Sequence, residues 1–176
     1  MPMKREATNS PTGWAAVAVH YGLDHQLIKL AEEVGELIHA DHLRVRDVVP
    51  FDAVVEEIAD VTSVADQVAY LLGDRTGELK DMTERATPST QVNPLVYYGT
   101  AVITAACRAA NSDRYTSRAT LFVPLSNLLA FLETYCTEAG CVRQLRAIRS
   151  QKLQRQKERI RKEKQHGTEI SYTVRR

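Results

Sequence analysis

The sequence has few of the features that mark secreted or membrane-spanning proteins. Only 3 of its 176 residues are cysteine, and none has a histidine at metal-ligand spacing, which predicts reduced thiols and not a disulfide framework. No apolar run approaches the roughly 18 residues that a membrane span requires. Segment 1–12 is polar and lacks the apolar core of a signal peptide. We therefore expect a cytoplasmic protein with no membrane partner.

The composition is that of an ordinary globular protein. Hydrophobic residues make up 44% and charged residues 26% of the 19.7 kDa chain, which excludes the disordered and fibrous classes. No fixed-period repeat or low-complexity tract is present. A chain of this length is long enough for one sizeable core and short for two, so we predict a single domain over residues 1–176.

Apolar residues recur at helical spacing through most of the chain. The predicted helices are Trp14–Tyr21, a segment from an N-cap at Asp24 to about Leu43, Phe51–Leu72 with Pro50 in its first turn, a turn around Glu78–Arg85, Pro94–Ala110, a segment from a first turn at Pro124 to Ala139, and Val142–Lys164. The state of 118–123 stays open, and only Ile170, Tyr172 and Val174 alternate as a strand would. The sequence predicts an all-α bundle of about five to six helices.

Charge is unevenly distributed along the chain. Residues 142–176 contain 12 Lys or Arg and 3 Asp or Glu, a net charge of +9, whereas residues 1–141 carry a net charge of −8. Two explanations are open at this point. The basic segment binds nucleic acid, or the acidic and basic parts meet in one site that holds an anionic ligand and its metal.

Carboxylates are concentrated in two of the predicted helices. The pairs three residues apart are Glu33/Glu36 and Glu57/Asp60, and side chains at that spacing point the same way. If the two helices pack antiparallel, four carboxylates converge, and like charges held together need neutralisation. Oxygen-only sites suit Mg²⁺ or Mn²⁺. The alternative is an ordinary solvated helix face, but Asp60 lies deep in an apolar helix and continues into a polar stripe with Ser63 and Gln67.

These residues match a known pattern. The order Glu32-Glu33-x-x-Glu36, twenty intervening residues, then Glu57-x-x-Asp60 resembles the signature of the all-α nucleoside triphosphate pyrophosphohydrolases, and of their small MazG-like members in particular. The stretch from Lys152 to Arg155 resembles the basic closing helix of that family. The resemblance covers about residues 14–73 and 148–162. A helical insertion at about 74–149 departs from it, and a basic C-terminal helix or tail occupies about 142–176.

The resemblance implies a metal-dependent enzyme that cleaves a (d)NTP to a (d)NMP and pyrophosphate with a metal-activated water. Mg²⁺ is the implied cofactor, with Mn²⁺ as the alternative, and the implied assembly is a homodimer or homotetramer. The implied site residues are the metal ligands Glu33, Glu36, Glu57 and Asp60, the catalytic residues Glu32 and Glu33, the phosphate-binding residues Lys29, Lys152, Arg155 and Arg159, and the base-binding residues Gln26 and Gln67.

Two interpretations compete with parts of this assignment. The rings of Trp14, His20, Tyr21 and His25 could stack on a base, but core packing or a place near a helix N-cap is favoured. The chain could also be a non-catalytic helical regulator that binds nucleic acid through its basic C-terminal helix. That helix lacks interleaved aromatics and a recognisable reading motif, so we expect no nucleic-acid partner, although about ten basic residues then have no assigned role.

Overall fold

The computed structural model describes residues 13–87, 93–111 and 118–165, and all regular secondary structure in them is α-helical. The all-α class is therefore confirmed, with seven helices in these ranges where five to six were predicted. The predicted alternation at 170–174 lies outside the described residues. The helices are α1 (Trp14–Tyr21), α2 (Leu23–Val45), α3 (Phe51–Leu71), α4 (Glu78–Arg85), α5 (Pro94–Ala110), α6 (Arg118–Glu138) and α7 (Val142–Gln165).

Helices α2 and α3 form the centre of the fold. The short connection 46–50 joins them, and both are amphipathic with one apolar face. Leu30, Val34 and Leu37 of α2 and Val55 and Ile58 of α3 are fully buried, because their 3–4-residue spacing places them on one side of each helix. They belong to one hydrophobic cluster that extends through α4, α5 and α6.

The structure differs from the predictions near the starts of three helices, α2, α3 and α6. Asp24 is the second residue of α2, because Gly22, at a φ of 83°, joins α1 directly to α2. The Gly22 N–H donates to the Ala18 carbonyl at 2.9 Å, and the Gly22 carbonyl accepts from Gln26 N–H at 3.2 Å. Pro50 precedes α3 in an extended conformation instead of lying in its first turn.

Pro124 lies inside α6 and not in its first turn. The helix begins six residues earlier, at Arg118, so the open segment 118–123 is helical. A proline removes one helical N–H donor, but Leu121, Phe122 and Leu125 around it are fully buried. Their burial outweighs the lost hydrogen bond, since packing of an apolar face supplies most of the stability of a helix in a protein.

The predicted insertion packs against α2. Helix α5 begins at Pro94, after Asn93 caps it by accepting from Val96 N–H at 3.3 Å. At Gly99 the helix approaches α2 so closely that an added Cβ would lie 2.8 Å from Ile38 Cδ1. Helix α6 covers α5 and α4, and α5 packs against α2.

Helix α6 is the only helix in the described ranges that is long and apolar enough to cross a membrane, with a mean hydropathy of 1.3. The sequence interpretation missed it because Ser126 and Asn127 interrupt its apolar run. A buried helix of a globular core has the same length and composition, and α6 contributes Leu121, Phe122 and Leu125 to the hydrophobic cluster.

Helix α7 lies at the edge of the bundle and has no buried residue. It contacts α3 and α1. The contacts with α1 are polar: His20 Nε2 lies 2.8 Å from Glu163 Oε2, and Tyr21 Oη donates to Gln156 Oε1 at 3.4 Å. A strongly charged helix therefore forms one wall of the space between α1, α2 and α3.

Candidate functional site

Three of the predicted carboxylates lie together where α2 faces α3. A carboxylate oxygen from each of Glu33, Glu36 and Glu57 lies within 4.8 Å of the other two. Glu36 acts electrostatically on Glu57, while Asp60 acts on Glu33. This order is the one that two antiparallel helices produce from pairs spaced three residues apart. The cluster comes from two elements, as a metal site built across a helix seam requires.

The cluster carries more negative charge than its surroundings stabilise. Glu33 is only 5% exposed, and this burial, with repulsion from Asp60, raises its pKa to about 7 in spite of the Lys29 ammonium. Burial also raises the pKa of Glu57, helped by repulsion from Asp60 and Glu36. A cation among these oxygens would remove both penalties, because it compensates the charge that desolvation and repulsion disfavour.

Asp60 is placed differently from the other predicted ligands. Its carboxylate Oδ2 forms an ion pair with Lys152 Nζ of α7, and it does not belong to the group of three oxygens that lie within 4.8 Å of one another. It still lies close enough to raise the pKa values of Glu33 and Glu57. Asp60 thus joins the acidic cluster to the basic helix.

Cationic side chains surround the acidic cluster. Lys29 Nζ lies 2.7 Å from Glu33 Oε1 and 3.3 Å from Glu32 Oε2, because the three residues share one face of α2. On the other side, Lys152, Arg155 and Arg159 of α7 line the same space. The structure therefore brings all four predicted phosphate-binding residues around one cleft.

That cleft has a volume of about 450 Å³ and lies between α1, α2, α3 and α7. Gln26 and Gln67 line it, and each is only 3% exposed. Gln67 Nε2 donates to the Ser63 carbonyl at 3.1 Å, which fixes the orientation of that amide. In the described part of the chain, Oε1 of both glutamines lacks a hydrogen-bond partner. Buried amide oxygens without a donor cost free energy, and a ligand that brings N–H donors would recover it.

Aromatic rings also line the cleft. Trp14, Tyr21 and His25 all line it, and the Tyr21 and His25 rings stack at a centroid distance of 5.2 Å. Core packing was the favoured interpretation of these rings, whereas all three are only partly buried at the cleft. The signal in the sequence was the spacing of Trp14, Val17 and Tyr21, which places them on one face of α1.

A second pair of contacts fixes the position of α7. Arg149 forms an ion pair with Asp66 of α3, and its Nε donates to Ser63 Oγ at 3.3 Å. Sequence reasoning did not single out Arg149 or Asp66. Lys152 follows Arg149 by three residues and therefore lies on the same face of α7. Arg149 thereby directs Lys152 toward Asp60.

Comparisons of this chain with protein-family models, with curated proteins and with solved structures give no match. The functional argument therefore depends on the residues of the cleft.

Proposed function

We propose that this chain is a metal-dependent nucleoside triphosphate pyrophosphohydrolase of the all-α MazG-like type, which cleaves a (d)NTP to a (d)NMP and pyrophosphate. One observation carries the proposal: three carboxylates from two helices converge beside a cleft whose facing wall is cationic. An acidic cluster alone repels a triphosphate, and a basic wall alone needs no buried carboxylates. A metal–triphosphate complex needs both. The homo-oligomeric state and the cytoplasmic location stay predictions.

The donor set fits a hard divalent cation. Glu33, Glu36 and Glu57 would hold Mg²⁺ or Mn²⁺ through oxygen atoms alone, and Asp60 is the proposed fourth ligand. The raised pKa values of Glu33 and Glu57 indicate that this cluster is built for a compensating positive charge. When bound, the cation would supply Lewis-acid stabilisation of phosphate oxygens and acidify a coordinated water.

The other residues of the site bind the phosphates or act on the attacking water. Lys29, Lys152 and Arg155, with Arg159, bind phosphate oxygens and stabilise the charge of the departing pyrophosphate. Glu32 lines the cleft with a half-exposed carboxylate beside Lys29, a position from which it orients the attacking water or accepts its proton. Glu33, raised to a pKa of about 7, is the second group in the cluster suited to hold a proton near neutral pH.

The base is bound at the other end of the cleft. Gln26 and Gln67 offer carbonyl oxygens to N–H donors of the base, and the partly buried rings of Trp14, Tyr21 and His25 provide a stacking wall. Amino-bearing bases satisfy such acceptors better than uracil or thymine, which present carbonyl oxygens beside a single ring N–H.

The direct test is a nucleotide panel with Mg²⁺, in which pyrophosphate and nucleoside monophosphate are quantified together. We expect equal amounts of both products from at least one (d)NTP. Glu57→Gln and Asp60→Asn should each lower turnover by more than about 100-fold, since even residues outside the ligand shell of a metal typically contribute 10–100-fold. The same variants should weaken Mn²⁺ binding measured by electron paramagnetic resonance.

Glu56→Gln is the matched control. Glu56 precedes Glu57 on α3 but is exposed and does not belong to the cluster, so its loss should leave turnover and Mn²⁺ binding unchanged. Absence of hydrolysis of every nucleotide by the folded protein would contradict the proposal. Full activity of Glu57→Gln would contradict the site, and release of phosphate with a nucleoside diphosphate would contradict the cleavage position.

A further inference from the structure

Nine of the ten basic residues of α7 lie on two different faces of the helix, and the exposed Lys162 lies between these faces. Arg149, Lys152, Arg155 and Arg159 face α3 or the cleft. A second set faces away from the bundle, and every member of it is exposed. We call this set the outer basic face; it consists of Arg143, Arg146, Lys157, Arg161 and Lys164.

The outer basic face is a narrow and continuous stripe. At about 100° of rotation per residue, its five members fall within an arc of about 60°, on the side of the helix opposite the cleft. From Arg143 to Lys164 the stripe extends about 32 Å at 1.5 Å per residue. Glu163 points to His20 on the inner side, and the other acidic residue of α7, the exposed Glu158, lies outside the arc, about 60° from its nearest edge.

The five cations have no acidic partner among the residues that the structure describes. None of the ion pairs found within residues 13–87, 93–111 and 118–165 includes any of them. The inner cations, by contrast, are paired or line the cleft: Lys152 binds Asp60, Arg149 binds Asp66 and Arg159 Nε lies 2.9 Å from Glu163 Oε1. The proposed hydrolysis thus uses the inner set and leaves the outer set without a role.

We infer that the outer basic face binds the phosphate backbone of a double-stranded nucleic acid without reading its sequence. The length of the stripe, about 32 Å, is close to one helical turn of a B-form duplex, about 34 Å. Over that length a duplex presents about 19 phosphate charges, at about one per 1.7 Å of axis, so phosphates outnumber the five exposed cations. This departs from the expectation of no nucleic-acid partner, because the structure separates the outer cations from those at the cleft.

The uncharged residues beside the outer basic face favour a duplex as its ligand over a membrane surface or a single strand. Ala147, Ser150 and Gln154 are the exposed side chains nearest to the stripe, and Leu153 at its edge is half-buried. None of the three exposed side chains is a large apolar group, whereas a helix that lies on a membrane inserts Trp, Phe or Leu on its apolar side. None is aromatic, so stacking on the bases of a single strand is also excluded from this face. The outer basic face therefore fits contact with the phosphates of a duplex.

Fluorescence anisotropy with a labelled DNA duplex of mixed sequence, titrated over a KCl series, tests the inference. Binding should be independent of duplex sequence, and log K should fall with log[KCl] with a slope of about −4.5 for five phosphate contacts. Lys157→Gln/Arg161→Gln/Lys164→Gln should make that slope less steep by about 3 and weaken binding at least 10-fold. Arg143→Gln/Arg146→Gln should reduce the slope by about 2 and provides a second variant if the first unfolds.

The control triple Arg46→Gln/Lys80→Gln/Arg108→Gln removes the same charge from exposed positions on α4, α5 and the end of α2, and it should bind like the wild type. Four outcomes would overturn the inference. They are no duplex binding at low salt, equal weakening by the control triple, displacement of the duplex by excess nucleotide with Ca²⁺, and tighter binding to anionic lipid vesicles that the first triple abolishes. Because the duplex assay needs no hydrolysis, its result is independent of the proposed activity.

Discussion

The helices that carry the carboxylate motifs bury different polar groups from the helices of the 74–149 region. Both regions contribute to one hydrophobic cluster. In α2 and α3 the buried polar side chains are two amides, one carboxylate and one hydroxyl: Gln26, Gln67, Glu33 and Ser63. In α4 and α6 they are two hydroxyls, Thr83 and Ser126.

The two sets also differ in how their hydrogen bonds are satisfied. Thr83 Oγ1 donates to the Leu79 carbonyl at 2.8 Å and Ser126 Oγ to the Val123 carbonyl at 3.0 Å, each within its own helix. These hydroxyls need nothing from outside. The amide oxygens of Gln26 and Gln67 lack such partners in the described residues, and burial raises the pKa of Glu33 to about 7. The α2–α3 face therefore contains buried polar atoms that a ligand could satisfy, whereas the buried hydroxyls of α4 and α6 are satisfied within their own helices.

The largest expected effect on the free energy of unfolding comes from a substitution in the 74–149 region. Phe122 is fully buried, so Phe122→Ala should lower the free energy of unfolding by about 3–5 kcal/mol through lost transfer energy and a cavity. Glu57→Gln in the carboxylate cluster should not lower the free energy of unfolding, because burial and repulsion already disfavour the charge on Glu57. Urea denaturation of the metal-free protein measures both. A larger loss of unfolding free energy for Glu57→Gln than for Phe122→Ala would contradict the proposed difference between the two regions.

Asp74 provides a pH-dependent test in the same region. Its carboxylate accepts from the N–H groups of Gly77, Glu78 and Leu79 at 2.8–3.0 Å at the start of α4. Partial burial alone would raise the pKa of Asp74, but the backbone hydrogen bonds from Leu79, Glu78 and Gly77 together lower it below 3.8. Asp74→Ala should destabilise the protein by about 1–2 kcal/mol at neutral pH, as loss of a helix cap does.

The sign of the pH effect follows from the lowered pKa. A carboxylate whose pKa falls on folding contributes stability that is present above its unfolded value of 3.8 and lost as pH falls through the folded value. The difference between wild type and Asp74→Ala should therefore shrink when urea denaturation is repeated at about pH 2.5. An equal difference at both pH values would show that Asp74 acts without its charge.

Gly99 tests the contact between the two regions. An alanine Cβ there would lie 2.8 Å from Ile38 Cδ1 and 3.1 Å from Val34 Cγ1. The crowding exceeds the gain in helix propensity, so Gly99→Ala should lower the free energy of unfolding by about 1 kcal/mol. Gly35 of α2 has no atom within 4 Å of an added Cβ, and Gly35→Ala should instead stabilise by about 0.5–1 kcal/mol. Thermal melts of both variants should shift in opposite directions.

Hydrophobic periodicity was sufficient to predict the helices but not all of their ends. The apolar spacing in 51–72 predicted α3 to within one residue. The start of α6 was wrong because a local rule places proline in a first turn, while the burial of Leu121 and Phe122 extends this helix six residues before Pro124. The N-cap of α2 is Gly22 and not Asp24, because Gly22 adopts a positive φ at the direct junction of α1 and α2. Tertiary packing and backbone conformation decided these boundaries.

The sequence could also predict which carboxylates would meet, but not what each would contact. The three-residue spacing of Glu33 and Glu36 depends only on helix geometry, and the structure places both beside Glu57. The ion pair between Asp60 and Lys152 depends on how α7 lies across α3, which no local pattern encodes. The aromatic wall required knowledge that α1 borders the cleft. The single-domain assignment stays a prediction.

The smallest expected effects compare one buried polar side chain from each region. Thr83→Val removes a hydroxyl whose hydrogen bond is satisfied within α4, so it should lower the free energy of unfolding by about 0.5–1 kcal/mol. Gln67→Met removes an enclosed oxygen that has no donor in the described residues. It should leave stability unchanged or raise it by up to about 1 kcal/mol, because replacing an unsatisfied group by an apolar one of similar shape removes a desolvation penalty.

Nucleotide binding should reverse the order of these two variants. Isothermal titration with the α,β-methylene analogue of dCTP should show weaker binding for Gln67→Met and wild-type binding for Thr83→Val, because only Gln67 lines the cleft of α1, α2, α3 and α7. The loss should be smaller for the dUTP analogue, which offers fewer N–H donors. A Gln67→Met variant that is less stable than Thr83→Val yet binds both analogues normally would show that Gln67 serves folding. The difference between the two regions would then not reflect a ligand.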